Sequence, residues 1–183
     1  GDLVITEINR QPRIGGATTV SAAMWFEVYN KSTRAIDLSN WYVDRTSAIG
    51  TDRFTVDPAS LVVVPAGDYA VFCASTTYQS SATSAYPLTC DYVWKDSTQV
   101  STYVGTYKDN TFNLQRDTDD LRFWIEGDSS TGRKISEVHW YYDAVNGYWP
   151  RDARFSTSLD PAHLNETDND TRTNWCSTTA TAA

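Results

Sequence analysis

The sequence has one methionine, two histidines and three cysteines in 183 residues. A single Met leaves no Met-filled helical core and no Met-rich binding face. The histidines, His139 and His163, stand in no H-E-x-x-H pattern, and neither a nucleophile elbow nor a phosphate-binding glycine loop is present. No Cys-x-x-Cys occurs, which argues against a zinc ribbon or a thioredoxin motif. No apolar run approaches the roughly 20 residues of a membrane-spanning helix. Positive charge is scarce, with 15 Lys and Arg against 23 Asp and Glu and a net charge of −8. Phosphate recognition needs a basic surface, so duplex nucleic acid and anionic membranes are poor partners. No stretch keeps helical periodicity over eleven or more residues, so long helices are absent from the expectation.

Aromatic residues are plentiful, with seven Trp and eleven Tyr. That is too much aromatic surface for a disordered chain, and the length suits one domain with a sizeable core, which we read over residues 1–183. Alternation of period two marks strands at DLVITEIN (2–9), MWFEVY (24–29), WYVD (41–44), LRFWIE (121–126) and KISEVHWYY (134–142). In the first, Leu3 and Ile5 share one face, and Val4, Thr6 and Ile8 the other. SLVVV (60–64) and YAVFC (69–73) flank Pro65-Ala66-Gly67-Asp68 as the clearest hairpin, and residues 111–115 form a further candidate strand. Residues 74–110 are dense in Ser, Thr and Tyr and read as a long insertion with one or two short strands, around 91–94 and 101–104. From residue 143 onward the periodicity fades into a coil-rich tail. Asp160-Pro161 has the order of an N-cap followed by Pro, which predicts one helical turn there. Short strands with regular turn signals imply an all-β antiparallel sandwich with at most one short helical turn.

Cys73 and Cys90 lie seventeen positions apart, a separation that suits a disulfide closing the insertion; buried free thiols are the alternative. Such a loop gains roughly 3 kcal/mol in the chain-entropy model. Cys176 is then left over, which in a secreted protein suggests an intermolecular bond or a partner outside this chain. The chain starts at Gly1-Asp2 directly before a strand, a start we read as one left by removal of a leader.

The order and spacing of these elements resemble the lamin tail domain family. The resemblance rests on DLVITEI (2–8), WFEVYN (25–30), IDLSNWYV (36–43), VPAGDYAVF (64–72) and the strands around 121–125 and 135–140. Trp149-Pro150, Ser158-Leu159 and Asn174-Trp175 close it. It covers residues 2–72 and 110–175 and leaves the insertion unmatched. It implies an immunoglobulin-like β-sandwich used for interaction, in bacteria as a module of exported proteins, sometimes beside hydrolase domains. It supplies no catalytic residue.

The function expected is therefore a non-catalytic, extracellular or cell-surface structural module. It would work by protein–protein contact, including self-assembly, without nucleic acid or membrane insertion. The alternatives are a carbohydrate- or other ligand-binding module, or the accessory domain of a secreted hydrolase. Alternation turns Trp25 and Trp124 away from their apolar neighbours, and Tyr141, Tyr142, Tyr148 and Trp149 crowd the last strand. Together they form a candidate interaction surface, unless the insertion and tail cover both faces. No cofactor is required, although Asn165, Glu166, Asp168 and Asp170 supply hard oxygen ligands that a loop could wrap around calcium. Asp117, Asp119 and Asp120 form a second acidic cluster. Glu7 and Glu27 read as structural carboxylates rather than a glycosidase pair. Asn30, Asn165 and Asn169 each begin an N-glycosylation pattern.

Overall fold

Alternating apolar residues separated by closely spaced turns fold into short strands throughout. The structure, a computed structural model, describes residues 2–10, 13–14, 18–19, 23–45, 52–76, 89–95, 105–115, 117–128, 130–145, 147–150 and 156–178. In chain order the strands are Leu3–Asn9 (β1), Arg13–Ile14 (β2), Thr18–Thr19 (β3), Trp25–Asn30 (β4), Ile36–Asp37 (β5), Tyr42–Asp44 (β6), Arg53–Thr55 (β7) and Val63–Val64 (β8). They continue with Tyr69–Cys73 (β9), Tyr92–Val93 (β10), Asp119–Ile125 (β11), Arg133–Trp140 (β12), Tyr142–Asp143 (β13), Gly147–Tyr148 (β14), Thr157–Leu159 (β15) and Trp175–Ser177 (β16).

A six-stranded sheet runs β10-β9-β4-β1-β15-β16, and a four-stranded sheet runs β12-β11-β6-β7. Every pairing in them is antiparallel except β10 against β9. The all-β, immunoglobulin-like sandwich expected from the sequence is the fold observed. More than the one expected helical turn punctuates it: among the described residues, 3-10 turns lie at Pro58–Ser60, Pro161–His163 and Arg172–Asn174. The turn at Pro161 is capped as its sequence predicts, with the Asp160 carboxylate accepting the Ala162 N–H at 2.8 Å.

The core lies between the two sheets and is built from rings. Phe26 of β4 stacks on Phe72 of β9 at 4.9 Å and on Trp94 at 5.5 Å, and meets Phe123 of β11 edge-on at 5.8 Å. Offset and edge-on rings bring about 0.5–1.5 kcal/mol per pair beyond their burial. Leu3, Val4 and Ile5 are all fully buried, so β1 is covered on both faces as its apolar start predicts.

Two bulges correct the simple alternation. The β1–β4 register shifts between Ile5 and Glu7. The extra residue flips the parity beyond it, so Ile8 pairs with Phe26 and joins the Leu3 and Ile5 side instead of lying with Val4 and Thr6. Glu7 then stands opposite Glu27 on the outer face. A second bulge between Phe123 and Trp124 shifts β11 against β12. Residues 111–115 are not a strand, although Phe112 and Leu114 bury fully. Most of the insertion, including 101–104, lies outside the described residues; Tyr92–Val93 supplies its expected short strand.

Candidate interaction surfaces

The disulfide forms where the spacing placed it. Cys73 and Cys90 are joined with their Cα atoms 5.8 Å apart, holding β10 against β9. Cys176 is a free, exposed thiol in the middle of β16.

Of the six aromatic residues expected to face solvent, two are buried. Trp25 keeps only 9 % exposure, with Asn9 and Cys73 as its cross-strand neighbours. Trp149 keeps 1 %, packed against Trp175 at 5.5 Å and Tyr141 at 6.3 Å. The tail supplies that cover, so Trp149 belongs to the core. Tyr141 is half-buried beside His139, with ring centres 5.0 Å apart. Tyr148 is exposed, and its carbonyl accepts a hydrogen bond from Arg172 at 3.2 Å. The Tyr142 main chain pairs with Tyr148; its side chain lies outside the described residues.

Trp124 is half-buried on the outer face of the four-stranded sheet, in a setting the sequence did not reveal. Its indole N–H donates to Asp44 Oδ1 at 2.9 Å, and Arg122 Nε donates to the same oxygen at 2.8 Å. The Arg122 guanidinium lies 5.7 Å from the Trp124 ring, a cation–π contact over one face. Tyr42 stands directly across from Trp124 on β6, with Arg53 5.6 Å from its ring. The tyrosine hydroxyl is pushed up chiefly by burial, and Arg53 opposes the shift. This makes a two-ring platform flanked by two guanidinium groups. Arg122 was detectable in principle, two residues before Trp124 on the same face. Tyr42 and Asp44 come only from the strand register.

On the outer face of the six-stranded sheet, cross-strand partners run Cys176, Ser158, Glu7, Glu27, Val71. Burial pushes Glu27 above the usual carboxylate range; the Thr6 hydroxyl, donating to it at 2.8 Å, works against that, and the Glu7 charge adds to it. Ser156 donates to Glu7. Both carboxylates are therefore tied into the sheet by hydroxyl groups.

The acidic loop uses its oxygens internally. Asn165 Oδ1 accepts the N–H groups of Thr167 and Asp168, while Asp168 Oδ2 meets Asn165 Nδ2 at 2.7 Å and His163 Nδ1 at 3.1 Å. These bonds hold the Asp168 carboxyl below its ordinary range. Asp170 turns away and accepts the His139 N–H at 2.8 Å, and burial pushes its carboxyl up. Glu166 is half-buried. A calcium ion would have to displace these bonds. Among the described residues no group of three or more His, Cys, Asp or Glu is arranged to hold a metal. Asp119 instead pairs with Arg45 at 2.9 Å, and Asp120 lies 3.9 Å from Arg122; Asp117 is exposed.

The glycosylation patterns are closed by folding. Asn30 is fully buried and donates to the carbonyls of Arg34, Val64 and Pro65, Asn169 is fully buried, and Asn165 is engaged at both ends of its amide. None of the described helices is long and apolar enough to cross a membrane.

No curated protein matches the chain. The model of one family, the Lamin Tail Domain, matches residues 1–141, which carry β1 to β12 and both sheets except β15 and β16. The chain belongs to the Lamin Tail Domain family.

Proposed function

We propose that this domain is a non-catalytic interaction module of an exported protein, acting by protein–protein contact, with a second copy of itself as the first partner. The observation that carries the reading is the β16 edge. β16 ends the six-stranded sheet, and Cys176 at its centre is exposed and free. A strand at a sheet edge accepts another strand. Residues directly opposite in an antiparallel pair have Cα atoms about 4.5–5.5 Å apart, inside the range a disulfide spans. Two copies related by a twofold axis bring Cys176 against Cys176 in that geometry. The Cys73–Cys90 bond suits an oxidising compartment, where such a link persists. No cofactor enters the reading, and calcium is expected to leave the melting temperature unchanged.

Size-exclusion chromatography with light scattering tests it. The expected result is a dimer without reductant and a monomer after reduction or in Cys176→Ser. A monomer at high concentration in both states overturns the reading.

The Trp124–Tyr42 platform favours a second reading, carbohydrate binding, in which the free face of the indole stacks on a sugar. Glycan-array binding lost in Trp124→Ala supports it, and silence across a broad array removes it.

A further inference from the structure

Three large apolar side chains that stand in solvent meet at one place, away from β16 and from Trp124. Leu61 is 76 % exposed, Val63 51 % and Tyr69 45 %. All three line a groove of about 320 Å³ between β8 and the start of β9, with Ser60, Val62, Ala70, Cys90 and Asp91 as the other lining residues.

Each wall is held by its own device. The 3-10 turn at Pro58–Ser60 is capped by the Asp57 carboxylate, which accepts the Ala59 N–H at 2.9 Å, and it ends on Leu61 at φ 49° and ψ 47°. A leucine in this left-handed conformation is strained, and its exposed side chain gains no burial in return. The opposite wall is fixed by the Cys73–Cys90 bond. Next to it, Asp91 grips Val71 twice, its carboxylate accepting the Val71 N–H at 2.7 Å and its own N–H donating to the Val71 carbonyl at 2.8 Å. The Tyr69 N–H is taken by Asp68 Oδ1 at 2.9 Å, and the Tyr69 ring leans on Tyr29 at 4.8 Å. With these main-chain groups of β9 already used, a partner meets side chains on this wall.

Among the described residues the charge at the groove is negative: Asp91 is in the wall, Asp68 precedes Tyr69, Asp57 caps the turn, and no described lining residue is cationic. Burial raises the Tyr69 hydroxyl, and the charges of Glu27 and Asp68 add to that rise.

We infer that this groove docks an extended segment of a partner protein that presents an apolar side chain beside a lysine or arginine. The apolar side chain covers Leu61, Val63 and the Tyr69 ring, and the cation lies against Asp91. The inference shares with the reading above only that the partner is a protein, and it does not depend on β16.

The test uses the full chain carrying Cys176→Ser, ¹⁵N-labelled and titrated with the peptide acetyl-Gly-Lys-Leu-Lys-Gly-amide. Saturable amide shifts at Val63, Tyr69, Ala70 and Asp91 are expected, with Trp124 unmoved. The peptide with Glu in place of Lys should bind at least tenfold more weakly. Leu61→Asp should abolish the shifts. Asp91→Asn, which keeps an acceptor for Val71, should weaken binding several-fold. Leu61→Gly relieves the backbone strain, so it should melt no lower than its parent yet bind more weakly. Silence with the Lys peptide, equal response to the Glu peptide, or shifts that grow with protein concentration alone each overturn the proposal. The last result would assign the groove to a second copy. Because Cys176→Ser removes the thiol link, failure here leaves the β16 reading to its own experiment.

Discussion

The two ends of the six-stranded sheet are finished in different ways. At one end β10 lies beside β9 and is tied to it by the Cys73–Cys90 disulfide. Its flanking rings enter the centre of the core. Trp94 stacks on Phe26 and Phe54, and its indole N–H donates to the Phe112 carbonyl at 3.1 Å. Tyr92 donates to the Tyr107 carbonyl and accepts from the Asp57 N–H. At the other end β15 and β16 extend the sheet past β1 without a covalent tie. There the anchors are Trp175, whose indole donates to the Asn169 carbonyl at 2.6 Å, and Thr157, whose hydroxyl donates to the Pro150 carbonyl at 3.1 Å. β15 and β16 lie outside residues 1–141, the part that matches the family, yet they cover the free edge of β1. β10 and β16 are both end strands with one paired neighbour; the first is held by a cross-link and aromatic packing, the second by the Trp175 ring and side-chain hydrogen bonds.

The largest effects should come from the rings that anchor the two ends. Trp94→Ala removes a fully buried indole with ring partners on both sheets and should cost about 4–5 kcal/mol; Trp175→Ala, nearer the rim, should cost about 3 kcal/mol. Urea denaturation of both variants checks the order, and a reversal would mean that the added strands hold the core. Next comes the cross-link. Replacing Cys73 and Cys90 by Ser should cost roughly 3 kcal/mol for a loop of this length. Hydrogen exchange should then show Tyr92 to Lys95 opening while Thr157 to Ser177 stays protected. If both ends open together, they are one cooperative unit and the contrast fails.

Legibility in the sequence followed strand length. WFEVYN and LRFWIE are long enough to show a period of two, and both are strands close to their expected bounds. β10, β15 and β16 have two or three residues each, too few for any period to register, so their place in the sheet could not be read. The bulge after Ile5 carries no composition signal, and it reversed the side assigned to Ile8 while creating the Glu7–Glu27 pair. Trp25 was placed on the candidate surface because alternation describes one strand at a time, and Trp149 because it crowds the last strand, while burial depends on what packs above each ring. The Cys73–Cys90 bond was readable because a loop of that length closes without strain. The left-handed Leu61 was not, since nothing around it differs from an ordinary apolar run.

The smallest effect concerns the row that joins the two ends across the outer face, from Cys176 through Glu7 and Glu27 to Val71. Folding raises the Glu27 pKa, chiefly by burial, so the native state holds its proton to higher pH than the unfolded chain does. Between the unfolded and folded values the native state binds more protons, and stability therefore falls as pH rises through that window. The penalty is fully present above the folded value and absent below the unfolded one. Glu27→Gln removes the charge while keeping an oxygen that can accept the Thr6 hydroxyl. The variant should be more stable than the parent at pH 7, with the difference closing as the pH drops below the ordinary carboxylate range. Thermal melts at pH 7 and pH 3.5 measure it. Ser156, which donates to Glu7 from the residue before β15, gives the same row a contact with the added strands. If Ser156→Ala lowers the melting temperature less in the Glu27→Gln background than in the parent, the two carboxylates repel across β1 and β4 and the added end helps to hold them together. Equal losses in both backgrounds would show that the serine serves only its own strand.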